Sequence, residues 1–280
     1  MSIATMLAPD PIRRIVFRSR GSSHGFVTRL MSPGDLGRIL KPFVFLDLFD
    51  SRGAAFPTFG LHPHSGLATL TYIAEGSVSY EDTNGAAGIL RAGGVEWMRA
   101  GKGVWHSGGP GDPGRTRGFQ LWIALPPHLE LGDSESIYQS AADLPQTGPA
   151  RILLGQYGGE TSAIATPSSI NYLAVSLAPG EQWQYQPPAG HEVLWIAVGK
   201  GVVKTPDPVS AGELAIFSPG QQAIDFVADA KTEFVLGSAV PHPHELVTGY
   251  YSVHTSLDAL AKGEQRIRDI HGELVRAGRL

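Results

Sequence analysis

Two stretches of this chain, Tyr72-Ile-Ala-Glu-Gly76-Ser-Val78 and Trp195-Ile-Ala-Val-Gly-Lys-Gly201-Val-Val203, read as one strand–turn–strand unit used twice. A second matched pair follows them, Leu90-Arg-Ala-Gly93-Gly-Val-Glu-Trp97 and Val209-Ser-Ala-Gly212-Glu-Leu-Ala-Ile216. Recurrence of the same units in the same order marks a tandem duplication. Short β-branched and aromatic runs broken by glycine make each copy an antiparallel β structure.

Composition agrees. The chain has 35 Gly and 21 Pro in 280 residues and only 17% charged side chains, which favours many short strands joined by turns over a helical bundle. Asn84-Gly85 is a strong hairpin signal. Phe43-Val-Phe-Leu-Asp-Leu-Phe49 reads as a strand buried on both faces. Between His128 and Gln146 the sequence turns polar and acidic, which places a boundary there and divides the chain into residues 1–135 and 136–280. The end, Ser256 to Leu280, is the one clear amphipathic helix, with Leu257, Leu260, Ile267, Ile270 and Leu274 on a stripe and Thr255-Ser-Leu-Asp258 as a capping box.

Several function classes drop out. With 22 basic against 26 acidic residues, a net charge of −4 and no Lys/Arg cluster, direct nucleic-acid binding is not expected. Without cysteine there are no disulfides or thiolate sites, so any metal must be held by His, Asp or Glu. That absence fits the cytoplasm. Met1–Asp10 lacks a secretory pattern and no segment approaches a membrane span, so the expectation is a soluble cytoplasmic protein.

The chemistry concentrates between Gly60 and Gln120. In Leu61-His62-Pro63-His64 two imidazoles one residue apart fall on the same face of an extended strand. His106 follows Ala100-Gly-Lys-Gly103, whose glycines permit a turn that aims it back at the pair. Three neutral imidazoles on one side of a metal leave positions open for water, oxygen or substrate. Asp47 is the odd residue in its apolar strand; it is either a structural acceptor, the favoured reading, or part of the site. Glu96 either points into a cavity or sits at a solvated edge, the commoner outcome. His24 reads as a turn residue, His128, His191, His254 and His271 as surface or core residues, and His242-Pro-His244 as an extended connector. The glycine-rich run Gly108–Gly114 lacks a phosphate-loop signature and reads as a lip beside the site. In the second half the counterpart of the histidine pair, Ala178–Gln186, has no histidine, so that half is expected to be metal-free.

His62-Pro-His64-Ser-Gly-Leu-Ala-Thr-Leu-Thr-Tyr72, Gly93-Gly-Val-Glu-Trp-Met98, Ala100-Gly-Lys-Gly103, His106-Ser107 and Gly118-Phe-Gln-Leu-Trp122 together resemble the pirin family of the cupin superfamily, in order and spacing, over most of the chain. The resemblance implies an all-β bicupin: two tandem antiparallel jelly-roll barrels, monomeric, with mononuclear Fe(II) in the N-terminal one and a C-terminal helix. Carried over, His62, His64 and His106 are the metal ligands. The family also has a Glu two residues after the third His, where this chain has Gly108. It usually has an Arg straight after the second His and a Glu four residues after it, here Ser65 and Ala68, so both carboxylates expected near the metal are missing. The resemblance implies either a metal-dependent dioxygenase acting on quercetin-like or other phenolic or enolic substrates, or a non-catalytic regulatory protein that binds a protein partner and keeps a degenerate site.

Overall fold

The computed structural model describes residues 12–54 and 56–280; Met1–Asp10 lies outside the described residues. Each half is a sandwich of a seven-stranded and a four-stranded antiparallel sheet. In hydrogen-bond terms these sheets stay open, so each half is a jelly roll rather than a closed barrel. The first large sheet runs through Leu67–Glu75, Arg117–Ala124 and Phe43–Asp50; the second is centred on Val193–Lys200, Thr232–Ala239 and Ile170–Leu177. Strands are exchanged at the margins. Ile15–Ser19 pairs with Leu214–Phe217 in the second half, and Glu135–Gln139 pairs with Val95–Arg99 in the first, so sheet membership does not follow the division at residue 135.

Alternation along the central strands decides what faces where. Leu46, Ala68, Leu70, Trp97, Phe119 and Leu121 join Tyr172, Trp195, Leu214 and Val235 in one hydrophobic cluster, which seals the two large sheets against each other. Each such buried side chain contributes roughly 1.5–3 kcal/mol. The intervening residues of the first half, Asp47, Thr71, Gln120 and Trp122, face the opposite way and line cavities. A strand buried on both faces therefore carries hydrocarbon on one side and a polar, aromatic wall on the other.

The helix spans Leu257–Arg276, with Ser256 rather than Thr255 as its cap: the Ser256 hydroxyl accepts from the Ala259 N–H. Ala259, Gly263, Ile267, Ile270 and Leu274 are its buried face, whereas Leu257 is exposed. Trp105 packs against Ile270 and Leu274 and donates its indole N–H to the Ile267 carbonyl at 3.0 Å. Among the described residues no helix is long and apolar enough to cross a membrane.

Candidate metal centre

The three histidines meet on a two-stranded ladder. Phe59–His64 pairs with Val104–Pro110 so that His62 stands opposite His106 and Val104 opposite His64. His62 and His64 share a face by the period of two, and cross-strand register adds His106 to it. Ring centroids lie 4.4 Å apart for His62 and His106, 5.3 Å for His62 and His64, and 5.1 Å for His64 and His106. The turn that returns the second strand needs glycine at 101: φ is +53°, and a Cβ there would sit 2.2 Å from the Gly132 carbonyl oxygen. Trp105, on the other face, is the anchor to the helix; one residue step along the strand links the histidine cluster to the C-terminal helix.

Each imidazole has its Nδ1 edge engaged. His62 Nδ1 donates to the Gly60 carbonyl at 2.9 Å, His64 Nδ1 to the Tyr251 carbonyl at 3.2 Å, and His106 Nδ1 to the Glu96 carboxylate at 3.2 Å. Carbonyls and carboxylates only accept, so the proton is fixed on Nδ1 and the lone pair on Nε2. The Nε2 atoms of His64 and His106 are buried without any hydrogen-bond partner. The candidate ligand atoms of all three lie within 4.8 Å of one another. Burial, reinforced by His106, lowers the pKa of His62 to about 4 and that of His64 well below the ordinary value, so both are neutral near pH 7. Oriented, deprotonated nitrogens left orphaned in a buried cluster are what a divalent transition metal requires. The donor set fits the metal.

Glu96 corrects the expectation of a solvated edge. It is only 5% exposed, reaches across the sandwich from Val95–Arg99, and lines the inner cavity. Its carboxylate lies on the Nδ1 side of His106, away from the orphaned nitrogens, so it fixes the orientation of that ring rather than joining the Nε2 cluster. Position 68 corrects a second expectation. Ala68 belongs to the core between the halves, on the opposite face of its strand from Thr71, so a side chain at 68 would point away from the histidine cluster. Gly108 does face the inner cavity, and a Cβ added to it would meet only the Ser79 carbonyl oxygen at 3.8 Å. A side chain would fit; its absence opens the chamber.

The residues after the second sandwich also build the site. Val247–Gly249 and Ser252–His254 form a hairpin whose tip is Tyr250-Tyr251. Tyr251 adopts φ +51°, a left-handed conformation costing a bulky residue about 1–2 kcal/mol, and its carbonyl accepts the hydrogen bond from His64 Nδ1. The hairpin is locked by Ser65, directly after His64: its hydroxyl bonds Ser252 at 2.8 Å and His254 Nε2 at 3.0 Å, while His254 Nδ1 lies 3.3 Å from Glu130. Ser65, His254 and Glu130 are all buried. No sequence motif announced this network, because its partners are 187 and 189 residues apart. The extended connector, His242 to His244, lies outside the histidine cluster.

Two chambers meet at His62. An inner cavity of about 120 Å³ is lined by Phe49, Phe56, Val78, Tyr80, Glu96 and His106 among others. An outer cleft of about 810 Å³ lies between Arg29, Phe45 and Trp122 on one wall and Tyr250 and Tyr251 on the other. Asp47, Gln120 and His62 line both. Asp47 is the structural acceptor expected, taking Arg29 Nε at 2.5 Å and Nη2 at 3.1 Å, and it also faces the site. His24 stands at the cleft rim on Ser22–His24.

Comparison with known proteins agrees with this arrangement. Residues 26–123 match the family described as Pirin. A pirin-like protein of Caulobacter vibrioides is 30% identical, over 93% of this chain and 98% of its own. A putative quercetin 2,3-dioxygenase of Pseudomonas aeruginosa is 31% identical, covering 72% and 77% of the two chains. The crystal structure of a quercetin 2,3-dioxygenase from Acinetobacter baumannii superposes with a TM-score of 0.81 at 25% identity, over 91% of this chain and 96% of that one. Paired jelly rolls, a three-histidine cluster in the first of them and these similarities have one explanation: the chain belongs to the pirin family, of cupin type.

Proposed function

We propose that the protein is a metal-dependent dioxygenase of planar phenolic or enolic substrates, with Fe(II) held by Nε2 of His62, His64 and His106. The observation that carries this reading is the pair of buried, partnerless Nε2 atoms on rings whose opposite edges are all engaged. The similarity to quercetin 2,3-dioxygenases supports the substrate class. Bound there, iron supplies a Lewis acid for a substrate hydroxyl and an electron partner for oxygen. The chain does the rest. Phe45 and Trp122, stacked on each other at 4.0 Å, turn their ring edges to the outer cleft, and Phe49, Phe56 and Val78 keep the inner chamber apolar beside His106. Gly108 cannot take a proton, so that task falls to Asp47, the carboxylate common to both chambers; burial raises its pKa and makes it a better acceptor than an exposed carboxylate.

A non-catalytic, partner-binding role is the second reading, favoured by the missing carboxylate at 108. Oxygen uptake with a flavonol panel after anaerobic Fe(II) loading separates the two. The dioxygenase reading expects uptake that His106→Ala abolishes; iron-replete protein inert across the panel overturns it.

A further inference from the structure

The outer cleft presents more than aromatic edges. Arg29 lies over the Phe45 ring, its guanidinium carbon 4.1 Å from the centroid, and Phe45 in turn stacks on Trp122. Guanidinium, phenyl and indole thus form one column, and the Trp122 end touches the metal cluster: its ring lies 4.8 Å from His64. Asp47 takes Arg29 by the Nε–Nη2 edge. A guanidinium has five N–H donors, and the edge formed by Nη1 and the second Nη2 proton is left over. The Arg29 side chain is 41% exposed and lines the cleft, so this free edge is open to a ligand while Asp47 and Phe45 hold the plane still. A pre-oriented fork of this kind matches a carboxylate. Charge points the same way. A divalent ion on three neutral histidines, with Glu96 behind them and Asp47 offset by Arg29, leaves the site net positive.

We infer that the substrate is an organic acid, a planar phenol or enol bearing a carboxylate that the free edge of Arg29 takes while the hydroxyl lies at His62. This rests on the reading of the three histidines as a metal centre. Arg29 is then a specificity-determining residue, selecting the acid over its uncharged relatives.

Calorimetry on the Ni(II)-loaded protein tests this without turnover. The probes are protocatechuate and caffeate, each compared with its uncharged counterpart, catechol and 4-vinylcatechol. The acids are expected to bind roughly tenfold to a hundredfold more tightly than their counterparts. That gap should vanish in Arg29→Ala and in Arg29→Gln, the latter retaining a donor for Asp47 should the first fail to fold, and return in part in Arg29→Lys. Catechol and 4-vinylcatechol should lose far less affinity than the acids in each variant. Equal affinity for acid and counterpart, or a preference that survives loss of Arg29, overturns the inference and leaves the metal centre standing. If none of the four binds loaded protein more tightly than the His62→Ala, His64→Ala double variant, the reading of the site as one for phenolic or enolic substrates falls, and the inference falls with it.

Discussion

The two halves have one topology and opposite interiors. In the first, the short sheet offers His62 and His64 on one strand and His106 on its neighbour, around a cavity. In the second, Gln182–Tyr185 and Ile224–Ala228 occupy the equivalent places, and their inward residues are Trp183, Tyr185 and Phe226, packed against Phe234 and Val203. Trp183 and Phe226 stack at 5.3 Å, filling the volume that the first half leaves open. A jelly roll thus reaches stability either by filling its interior or by packing its outer faces. The first half takes the second route: its large sheet is sealed by the other half, and its small sheet by the helix through Trp105. The filled half acts as scaffold and the hollow half as site.

Emptying the filled half should produce the largest effect. Phe226→Ala is expected to cost about 3–5 kcal/mol of stability, read by denaturant unfolding, with metal content per folded molecule unchanged. Loss of metal from the folded variant would show that the halves are not separable in this way.

Acid should come next. His191 in the second half bonds Ser169 and Ser238, and burial beside Arg13 lowers its pKa to about 4. His62 in the first is lowered to about 4 by burial and by His106. A histidine held neutral in the fold binds its proton in the unfolded chain first, so unfolding takes up protons and stability falls with pH. The stability is fully present above about pH 6.5 and is lost between 6.5 and 4, on the order of 3 kcal/mol for His191 alone. Melting curves of His191→Gln should flatten part of that slope, and metal should steepen what remains, because protons compete for its ligands. A slope unchanged by both would sink the assignment.

Within the site, Glu96→Gln removes the charge behind His106 but keeps an acceptor; a loss of metal affinity of about 10- to 100-fold is expected, measured by competition with a chelator. No change would mean that Glu96 does not orient the ring. Gly108→Glu is the mildest change, since the space at 108 is free. It is expected to raise metal affinity by about tenfold, on the order of 1.4 kcal/mol for one added anionic ligand, and to weaken binding of anionic probes in the inner chamber.

Much of this was legible in the sequence, for physical reasons. The repeat, the turn glycines and the apolar run Phe43–Phe49 are local signals, and they sufficed for a duplicated antiparallel β structure. His62 and His64 were legible together because a strand has a period of two; four strands intervene along the chain before that of His106, and only the glycine turn just before its strand signalled its return to the pair. Glu96 was not, since its neighbour across the sandwich belongs to the other sheet. Nor was the role of Ser65, a departure from the family pattern that makes sense only beside Ser252 and His254. Position 68 hides its environment for the same cause: its distance from His64 along the chain is short, but its face is fixed by pleating against the second half. Strand exchange by Ile15–Ser19 and Glu135–Gln139 likewise follows from pairing across the chain, which no local pattern encodes.

The central claim is that the hollow half holds a metal. Elemental analysis of untagged protein purified without chelators, beside the His62→Ala, His64→Ala double variant, tests it most directly. The account predicts about one equivalent of transition metal in the wild type and none in the variant. Wild-type protein that carries no metal and takes up none on incubation with Fe(II), or a variant that retains it, would contradict the account.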